Sequence, residues 1–174
     1  CALPILENLS DCDDTNLMVK ALNSNDRDFN VGAAGTTMRF LTAFLSKVVG
    51  EWTITGTERM KNRPIKVLVD ALNALGARIE YMEKEGYPPL RIFGSALQGG
   101  EISLPGNVSS QYISAILMIA PLTENGVTLH LEGAIISRPY IHITLQLMEQ
   151  YGVRASWTEN MIKVRPQEDR SEEH

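Results

Sequence analysis

Cysteines and long hydrophobic runs are both scarce in this chain of 174 residues. Its two cysteines, Cys1 and Cys12, are too few and too close to the start to form a disulfide framework, so we expect a reducing, cytoplasmic location. The longest apolar stretch, residues 112–122, is interrupted by Ser114 and contains Pro121. It is shorter than the roughly 20 residues that span a bilayer. The sequence therefore predicts a globular protein with no membrane partner.

An excess of positive charge is also missing. The 16 Lys and Arg stand against 21 Asp and Glu, which gives a formal net charge of -5 and argues against nucleic acid as a partner. The charges are unevenly distributed along the chain. Residues 1–14 carry four acids and no base, whereas residues 36–66 carry six Lys and Arg against two Glu. An acidic chain with such a basic stretch can still bind a small anion.

Metal ligands are few and poorly spaced. His130, His142 and His174 show no coordinating spacing with one another or with the cysteines, so we expect no metal and no cofactor. Among the four candidate segments described below, Glu58 is the sole carboxylate, and no general acid–base pair is visible. The pattern predicts sites that hold anions rather than sites that move protons.

An internal repeat of about 75 residues organises the chain. Arg-Pro pairs occur at residues 63–64 and 138–139, and each pair precedes a helical pattern. Each pattern then ends in Gly-x-Arg, at residues 76–78 and 152–154. A glycine after a helix favours the left-handed conformation that ends it. Because the Arg-Pro pair and the helix-ending glycine recur in the same order, we expect both copies to share one order of elements.

This period predicts two βαβαββ units, residues 28–98 and 99–166, and a mixed α/β (α+β) fold. Residues 1–27 resemble the end of a preceding unit, and residues 167–174 form an acidic tail. We therefore expect a single partial domain taken from a larger protein. The alternative is a complete two-repeat protein with an N-terminal helix.

Hydrophobic periodicity assigns the elements inside each unit. The first unit is predicted to hold strands 29–31, 51–55, 77–82 and 90–93, a helix over 36–47 and a second helix with Pro64 in its first turn. The second is predicted to hold strands 101–104, 127–132, 153–157 and 161–165, with helices 110–120 and 139–151. The first helix of each unit is apolar on most faces, which predicts that it is buried.

The first candidate anion site is the loop and helix start at residues 32–39. Glycine lets a ligand approach the backbone closely, as at Gly35, and the N–H groups of a helix N-terminus attract anions. Thr36 adds a hydroxyl, and Arg39 adds a positive charge one turn into the helix. A plain helix cap with a solvent-facing arginine is the alternative.

The second candidate site is residues 58–64, which place Arg59, Lys61 and Arg63 within five positions. A guanidinium binds carboxylate or phosphate through two hydrogen bonds, and lysine adds a compact charge. The segment lies between a strand end and a helix, where ligands collect in α/β folds. An ordinary solvated run of charge is the alternative.

Two further candidates are serine-containing helix starts in the second unit. Ser109, Ser110 and Gln111 offer hydroxyls, an amide and helix N–H groups to a phosphate or a polyol. Ser137 and Tyr140 flank the second Arg-Pro pair, and the tyrosine can stack on a ring or donate a hydrogen bond. For the first of these, a single serine that caps the helix is the alternative, and Pro139 is a structural helix start in either interpretation.

Together these segments resemble the enolpyruvyl transferases, and among them the branch that acts on shikimate 3-phosphate. The matching strings occur in the family's order and spacing: 32–39 (GAAGTTMR), 59–64 (RMKNRP), 109–112 (SSQY) and 137–141 (SRPYI). The family commonly has Gly-Asn-Ala-Gly-Thr at the first string, where Ala33 replaces the asparagine. The four motifs together make the resemblance specific, although each one alone would be weak.

The resemblance implies an enolpyruvyl transferase-type domain made of three βαβαββ units, and it implies roles for the candidate residues. The phosphoenolpyruvate site, where the herbicide glyphosate also binds in the family, would use Gly35, Thr36, Arg59 and Gln111. The shikimate 3-phosphate site would use Ser109, Ser110, Gln111, Ser137 and Tyr140, with Arg39 and Lys61 in supportive roles.

The implied reaction transfers the enolpyruvyl group of phosphoenolpyruvate to the 5-hydroxyl of shikimate 3-phosphate, in the shikimate pathway to aromatic amino acids. In the family, a Lys-Ser…Arg segment and acid–base groups of a second domain complete the site, and we do not find them here. We therefore expect no catalytic residue in this chain and no turnover by the chain alone. Its expected partners are the two anions and the remainder of its own chain. The alternatives are a related transferase of UDP-N-acetylglucosamine and a non-catalytic anion-binding module.

Overall fold

The structure is a computed structural model, and it describes residues 27–167. These residues form two four-stranded mixed sheets with helices, which confirms the predicted mixed α/β class. Apart from Arg27 and Gln167, the predicted remnant unit and the acidic tail lie outside the described residues. None of the helices found between residues 27 and 167 combines the length and the hydropathy that a bilayer crossing needs.

The first unit forms one sheet with three helices. Its elements in chain order are β1 (Asp28–Asn30), α1 (Gly35–Lys47), β2 (Gly50–Thr55), α2 (Glu58–Lys61), α3 (Lys66–Ala74), β3 (Arg78–Tyr81) and β4 (Leu90–Gly94). The sheet order is β1-β2-β4-β3, with β1 parallel to β2 and the other pairs antiparallel. A parallel pair needs a crossover connection, which α1 supplies between β1 and β2.

The second unit repeats this arrangement. Its elements are β5 (Gly100–Pro105), α4 (Ser110–Ile119) with a 3₁₀ turn (Ala120–Leu122), β6 (Val127–Glu132), α5 (Arg138–Gln150), β7 (Ala155–Thr158) and β8 (Met161–Val164). The sheet order is β5-β6-β8-β7, and again the first two strands are parallel. The two units therefore share one topology, as the sequence period predicted.

The core lies where α1 and α4 pack against each other. In α1, Met38, Leu41 and Leu45 recur at the 3–4 spacing of one helix face and are buried. In α4, Ile113 and Ile116 are fully buried. This confirms the prediction that the first helix of each unit is buried. The α1–α4 contact also fixes the N-terminus of one helix relative to that of the other.

Two details of the first unit differ from the sequence prediction. Pro64 does not lie in the first turn of a helix, because α3 begins at Lys66. The intervening Ile65 has a φ of -132° and donates its backbone N–H to the Gly86 carbonyl, 2.9 Å away, which holds this segment outside the helix. The short helix α2 was not predicted. Thr57 caps it by accepting a hydrogen bond from the Met60 N–H.

The hydroxyl of Tyr81 on β3 is buried without a hydrogen-bond partner among the described residues. Burial, and then the negative charges of Asp70 and Glu85, raise the pKa of Tyr81 to about 12. The folded state therefore keeps this proton at a pH where the unfolded chain, with a tyrosine pKa of about 10, has lost it. The free energy of unfolding should fall as the pH rises from about 10 to about 12.

The variant Tyr81→Phe is expected to lose this contribution to the pH dependence and to gain about 1 kcal/mol at neutral pH, since an unpaired buried hydroxyl disappears. Urea unfolding at pH 7 and at pH 11 would measure both effects. Tyr151→Phe is the matched control, because Tyr151 is 81% exposed. An unchanged difference in unfolding free energy between the two pH values in Tyr81→Phe would contradict the assignment.

Candidate functional site

The four candidate segments all follow the carboxyl ends of the parallel strand pairs. After β1 and β2, the Val31 N–H donates to the Thr55 carbonyl at 2.9 Å, and the Thr57 N–H donates to the Gly32 carbonyl at 3.0 Å. The loops after β5 and β6 are joined in the same way, through the bond from the Gly106 N–H to the Glu132 carbonyl at 2.7 Å. In α/β folds this edge of a sheet is where ligands bind.

The junction between the two units is a hydrogen-bonded group of Thr36, Arg39 and Gln111. The Gln111 amide nitrogen donates to the Thr36 hydroxyl at 2.9 Å, and its amide oxygen accepts a bond from the Arg39 guanidinium. Thr36 and Arg39 lie in the first turns of α1, and Gln111 lies in the first turn of α4. The structure thus brings together residues from two motifs that lie far apart in the sequence.

A cavity of about 500 Å³ is lined by Ala33, Arg59, Met60 and Arg63, and the guanidinium of Arg63 reaches Gly35, the residue before Thr36. We call this space the basic cavity. The guanidinium of Arg63 fills the place that a side chain would take at Gly35, with its Cζ atom 3.0 Å from the position of a Cβ. Glycine at position 35 therefore makes room for Arg63, and an anion in the basic cavity would meet two guanidinium groups.

Arg63 lines this cavity, although the sequence analysis assigned it no substrate contact. The anion contact was assigned to Arg59, whereas the structure puts both arginines on the wall of the basic cavity. Neither arginine forms an ion pair with a carboxylate of residues 27–167, so both charges are available. The sequence signals were the basic segment 58–64 and the Arg-Pro pair at residues 63–64, but neither was used to assign Arg63 a substrate contact.

Lys61 differs from its two arginine neighbours. Its ammonium lies 3.5 Å from a carboxylate oxygen of Glu58 and 3.6 Å from one of Glu83. Two carboxylates thus balance the charge of Lys61. The side chain connects α2 to the loop between β3 and β4, which is consistent with a supportive role.

Two serines form the start of α4, which we call the serine turn (Ser109 and Ser110). The Ser109 hydroxyl accepts a hydrogen bond from the Gln111 backbone N–H at 3.3 Å, so it caps the helix, as the alternative interpretation held. A hydroxyl that accepts through one lone pair keeps its own proton to donate. Ser109 is exposed and can cap the helix and contact an anion at the same time.

Ser137 and Tyr140 lie in the neighbouring loop and helix start. The Ile136 N–H donates to the Gly106 carbonyl at 3.3 Å, which joins this loop to the one that leads into the serine turn. Ser137 precedes α5 without using its side chain as a cap, and Tyr140 is 64% exposed. Both side chains are therefore free of helix-capping or core packing duties at this edge.

The chemistry offered by these groups is anion binding. The loops and helix starts after the parallel strands carry hydroxyls, an amide, helix N–H groups and guanidinium groups. The residues assigned as substrate contacts include no carboxylate. Residues 27–167 contain no group of three or more His, Cys, Asp or Glu side chains that could hold a metal ion.

The sequence model of EPSP synthase (3-phosphoshikimate 1-carboxyvinyltransferase) matches residues 5–174. The chain belongs to the EPSP synthase family. A family member from Bacteroides fragilis strain YCH46, named 3-phosphoshikimate 1-carboxyvinyltransferase, is 60% identical over 164 residues. The match covers 94% of this chain and 40% of that protein. The predicted family is confirmed.

Other members of the EPSP synthase family give the same result. The enzyme of that name from Vibrio cholerae strain M66-2 is 52% identical over 124 residues, which cover 71% of this chain and 29% of the relative. The solved structure of EPSP synthase from Acinetobacter baumannii superposes with a TM-score of 0.71 over 84% of this chain and 32% of that one. At 24% identity it supports the fold. The chain spans at most about 40% of the length of these relatives.

Proposed function

We propose that this chain carries substrate-binding segments of an enzyme that transfers the enolpyruvyl group from phosphoenolpyruvate to the 5-hydroxyl of shikimate 3-phosphate. The proposal depends mainly on the junction of Thr36, Arg39 and Gln111, which joins the basic cavity to the serine turn. A reaction between two anionic substrates needs two adjacent anion sites with a polar boundary, and the hydrogen bonds around Gln111 support such an arrangement. We also propose that the protein works in the cytoplasm.

The basic cavity is the proposed site for phosphoenolpyruvate. Arg63 and Arg59 would bind its phosphate and carboxylate, because planar guanidinium groups match both in geometry and charge. The backbone of Gly35 and the hydroxyl of Thr36 lie at the N-terminus of α1, where the helix dipole favours an anion. Gln111 would contact phosphoenolpyruvate from the opposite side of the junction.

The serine turn is the proposed site for shikimate 3-phosphate. Ser109 and Ser110 would donate hydroxyl groups to its phosphate at the N-terminus of α4, and Ser137 and Tyr140 would bind from the adjacent loop. Hydrogen bonds between side-chain hydroxyls and substrate oxygens position a polyol with little added charge. Gln111 would therefore lie between the two substrates.

The proposed chemistry is addition followed by elimination. The methylene carbon of phosphoenolpyruvate is protonated, and the 5-hydroxyl adds to the resulting cationic carbon and loses its proton. Loss of a proton from the new methyl group then breaks the bond to phosphate and restores the carbon–carbon double bond. The arginines and helix N-termini would stabilise the negative charge of both substrates and of the leaving phosphate. The named contact residues include no carboxylate, so we propose that the proton-transfer groups belong to the remaining part of the protein.

This proposal predicts binding without turnover. The 174-residue chain mixed with phosphoenolpyruvate and shikimate 3-phosphate should release no phosphate above background, because the proton-transfer groups are missing. Calorimetric titration should nevertheless detect shikimate 3-phosphate, and the signal should be lost in the double variant Ser109→Ala/Ser110→Ala. Phosphate release by the chain alone would contradict the assignment of the acid–base groups. Tighter binding of UDP-N-acetylglucosamine than of shikimate 3-phosphate would contradict the proposed substrate.

A further inference from the structure

Tyr112 contacts both the segment that carries Arg63 and the junction of Thr36, Arg39 and Gln111, although the sequence analysis assigned it no role. It is the third residue of α4. Its hydroxyl donates to the Pro64 carbonyl at 2.7 Å, and the Arg39 guanidinium lies over its ring, 4.9 Å from the centroid. One half-buried side chain thus connects α4 to α1 and to the segment that carries Arg63.

The bond to Pro64 fixes the backbone from which Arg63 projects. Arg63 precedes Pro64, and its own N–H donates to the Met60 carbonyl at 3.1 Å. On the other side, the Ile65 N–H donates to the Gly86 carbonyl at 2.9 Å. Proline has no N–H, so its carbonyl is the only polar backbone group through which the central residue of this segment can be held. Tyr112 supplies the donor.

The ring of Tyr112 contacts Arg39, which belongs to the junction. A guanidinium stacked on an aromatic face is restrained in position and orientation. Arg39 is stacked in this way while it donates to the Gln111 amide oxygen, and the Gln111 amide nitrogen donates to Thr36. The direction of the Gln111 amide therefore depends on Arg39, and the position of Arg39 depends on the Tyr112 ring.

We propose that Tyr112 is a positioning residue that holds the basic cavity and the junction in a fixed relation, its hydroxyl acting on Arg63 and its ring acting on Arg39 and Gln111. The proposal rests on the proposed function, since it assigns the consequences to phosphoenolpyruvate and shikimate 3-phosphate. The two halves of the side chain have separable effects. Removal of the hydroxyl disturbs the position of Arg63 alone, whereas removal of the ring disturbs both Arg63 and the junction of Arg39 and Gln111.

The test uses Tyr112→Phe, Tyr112→Leu and the exposed control Tyr151→Phe in the 174-residue chain. The first measurement needs no ligand. The side-chain Nε–Hε resonances of the arginines are compared by NMR, and Tyr112→Phe should shift the Arg63 signal and leave that of Arg39 in place. Tyr112→Leu should shift both signals, and the control should shift neither. If Tyr112→Phe leaves Arg63 unshifted, the proposal is wrong.

The second measurement is calorimetric titration with phosphoenolpyruvate and, separately, with shikimate 3-phosphate. Loss of one hydrogen bond that orients a charged group should weaken phosphoenolpyruvate binding about fivefold in Tyr112→Phe and change shikimate 3-phosphate binding less than twofold. Equal weakening of both ligands would overturn the proposal, because it marks a general loss of packing. If the unaltered chain binds neither anion, the proposed function fails for this chain, and the NMR comparison still decides whether Tyr112 positions Arg63.

Discussion

Replacement of Arg63 by alanine is expected to weaken phosphoenolpyruvate binding by about 10- to 100-fold and to leave shikimate 3-phosphate binding nearly unchanged. The guanidinium of Arg63 lines the basic cavity and lies against Gly35 at the N-terminus of α1. It has no carboxylate partner within residues 27–167 that would compete with a ligand. Hydrogen bonds to a charged group contribute about 1.5–3 kcal/mol, and every 1.4 kcal/mol changes affinity tenfold.

Comparison with Arg59 makes this experiment specific. Arg59→Ala removes the same charge from the lining of the basic cavity, and we expect a smaller loss because the guanidinium nearest to Gly35, at the N-terminus of α1, is that of Arg63. Arg63→Lys keeps the charge but loses the planar pair of donors, so it should recover only part of the affinity. Isothermal titration with both ligands measures each variant. A larger effect of Arg59→Ala than of Arg63→Ala would return the main role to Arg59.

Gly94→Ala is expected to destabilise the fold by about 3 kcal/mol or more. Gly94 ends β4 where this strand passes the C-terminus of α1, and a Cβ there would overlap the Val48 carbonyl, with the carbonyl carbon 2.6 Å away. The clash is with backbone, which cannot rotate away as a side chain can. Overpacking of this kind typically costs about 1–3 kcal/mol, and a direct backbone overlap lies at the upper end or beyond.

Gly133→Ala is the control that separates crowding from backbone strain. Gly133 has a φ of +73° and no atom within 4 Å of a Cβ, so alanine there adds strain alone. A left-handed conformation costs a non-glycine residue roughly 1–2 kcal/mol. Thermal and urea unfolding of the two variants should therefore give clearly different free energies. Equal losses would show that α1 moves away from β4 without difficulty.

The repeat carried most of the fold prediction. Arg-Pro pairs and Gly-x-Arg ends recur after about 75 residues, and hydrophobic periodicity assigned a strand or helix to each segment between them. The strand Val127–Glu132 was predicted with its observed bounds, and most other ends differ by one or two residues. Local patterns give these elements because their period follows from backbone geometry alone.

The contacts between motifs that lie far apart in the chain could not be predicted from the sequence. The bond between Gln111 and Thr36 joins residues 75 positions apart, and the bond between Tyr112 and Pro64 spans 48 positions. No local period encodes such contacts, since they depend on how α1 packs against α4. For the same reason Arg63 received no role, and the start of α3 was placed too early, because the bond from Ile65 to Gly86 is also non-local in character.

The packing of α1 against α4 also sets the distance between the N-termini of these two helices. The basic cavity borders the first turn of α1 and the serine turn begins α4, so buried side chains of the two helices, such as Met38 and Ile116, would set the separation of the two proposed substrate sites. Protein interiors are close-packed and compress little. In the proposed reaction, the distance between the attacking hydroxyl and its target carbon would therefore depend partly on methyl and methylene groups that touch neither substrate.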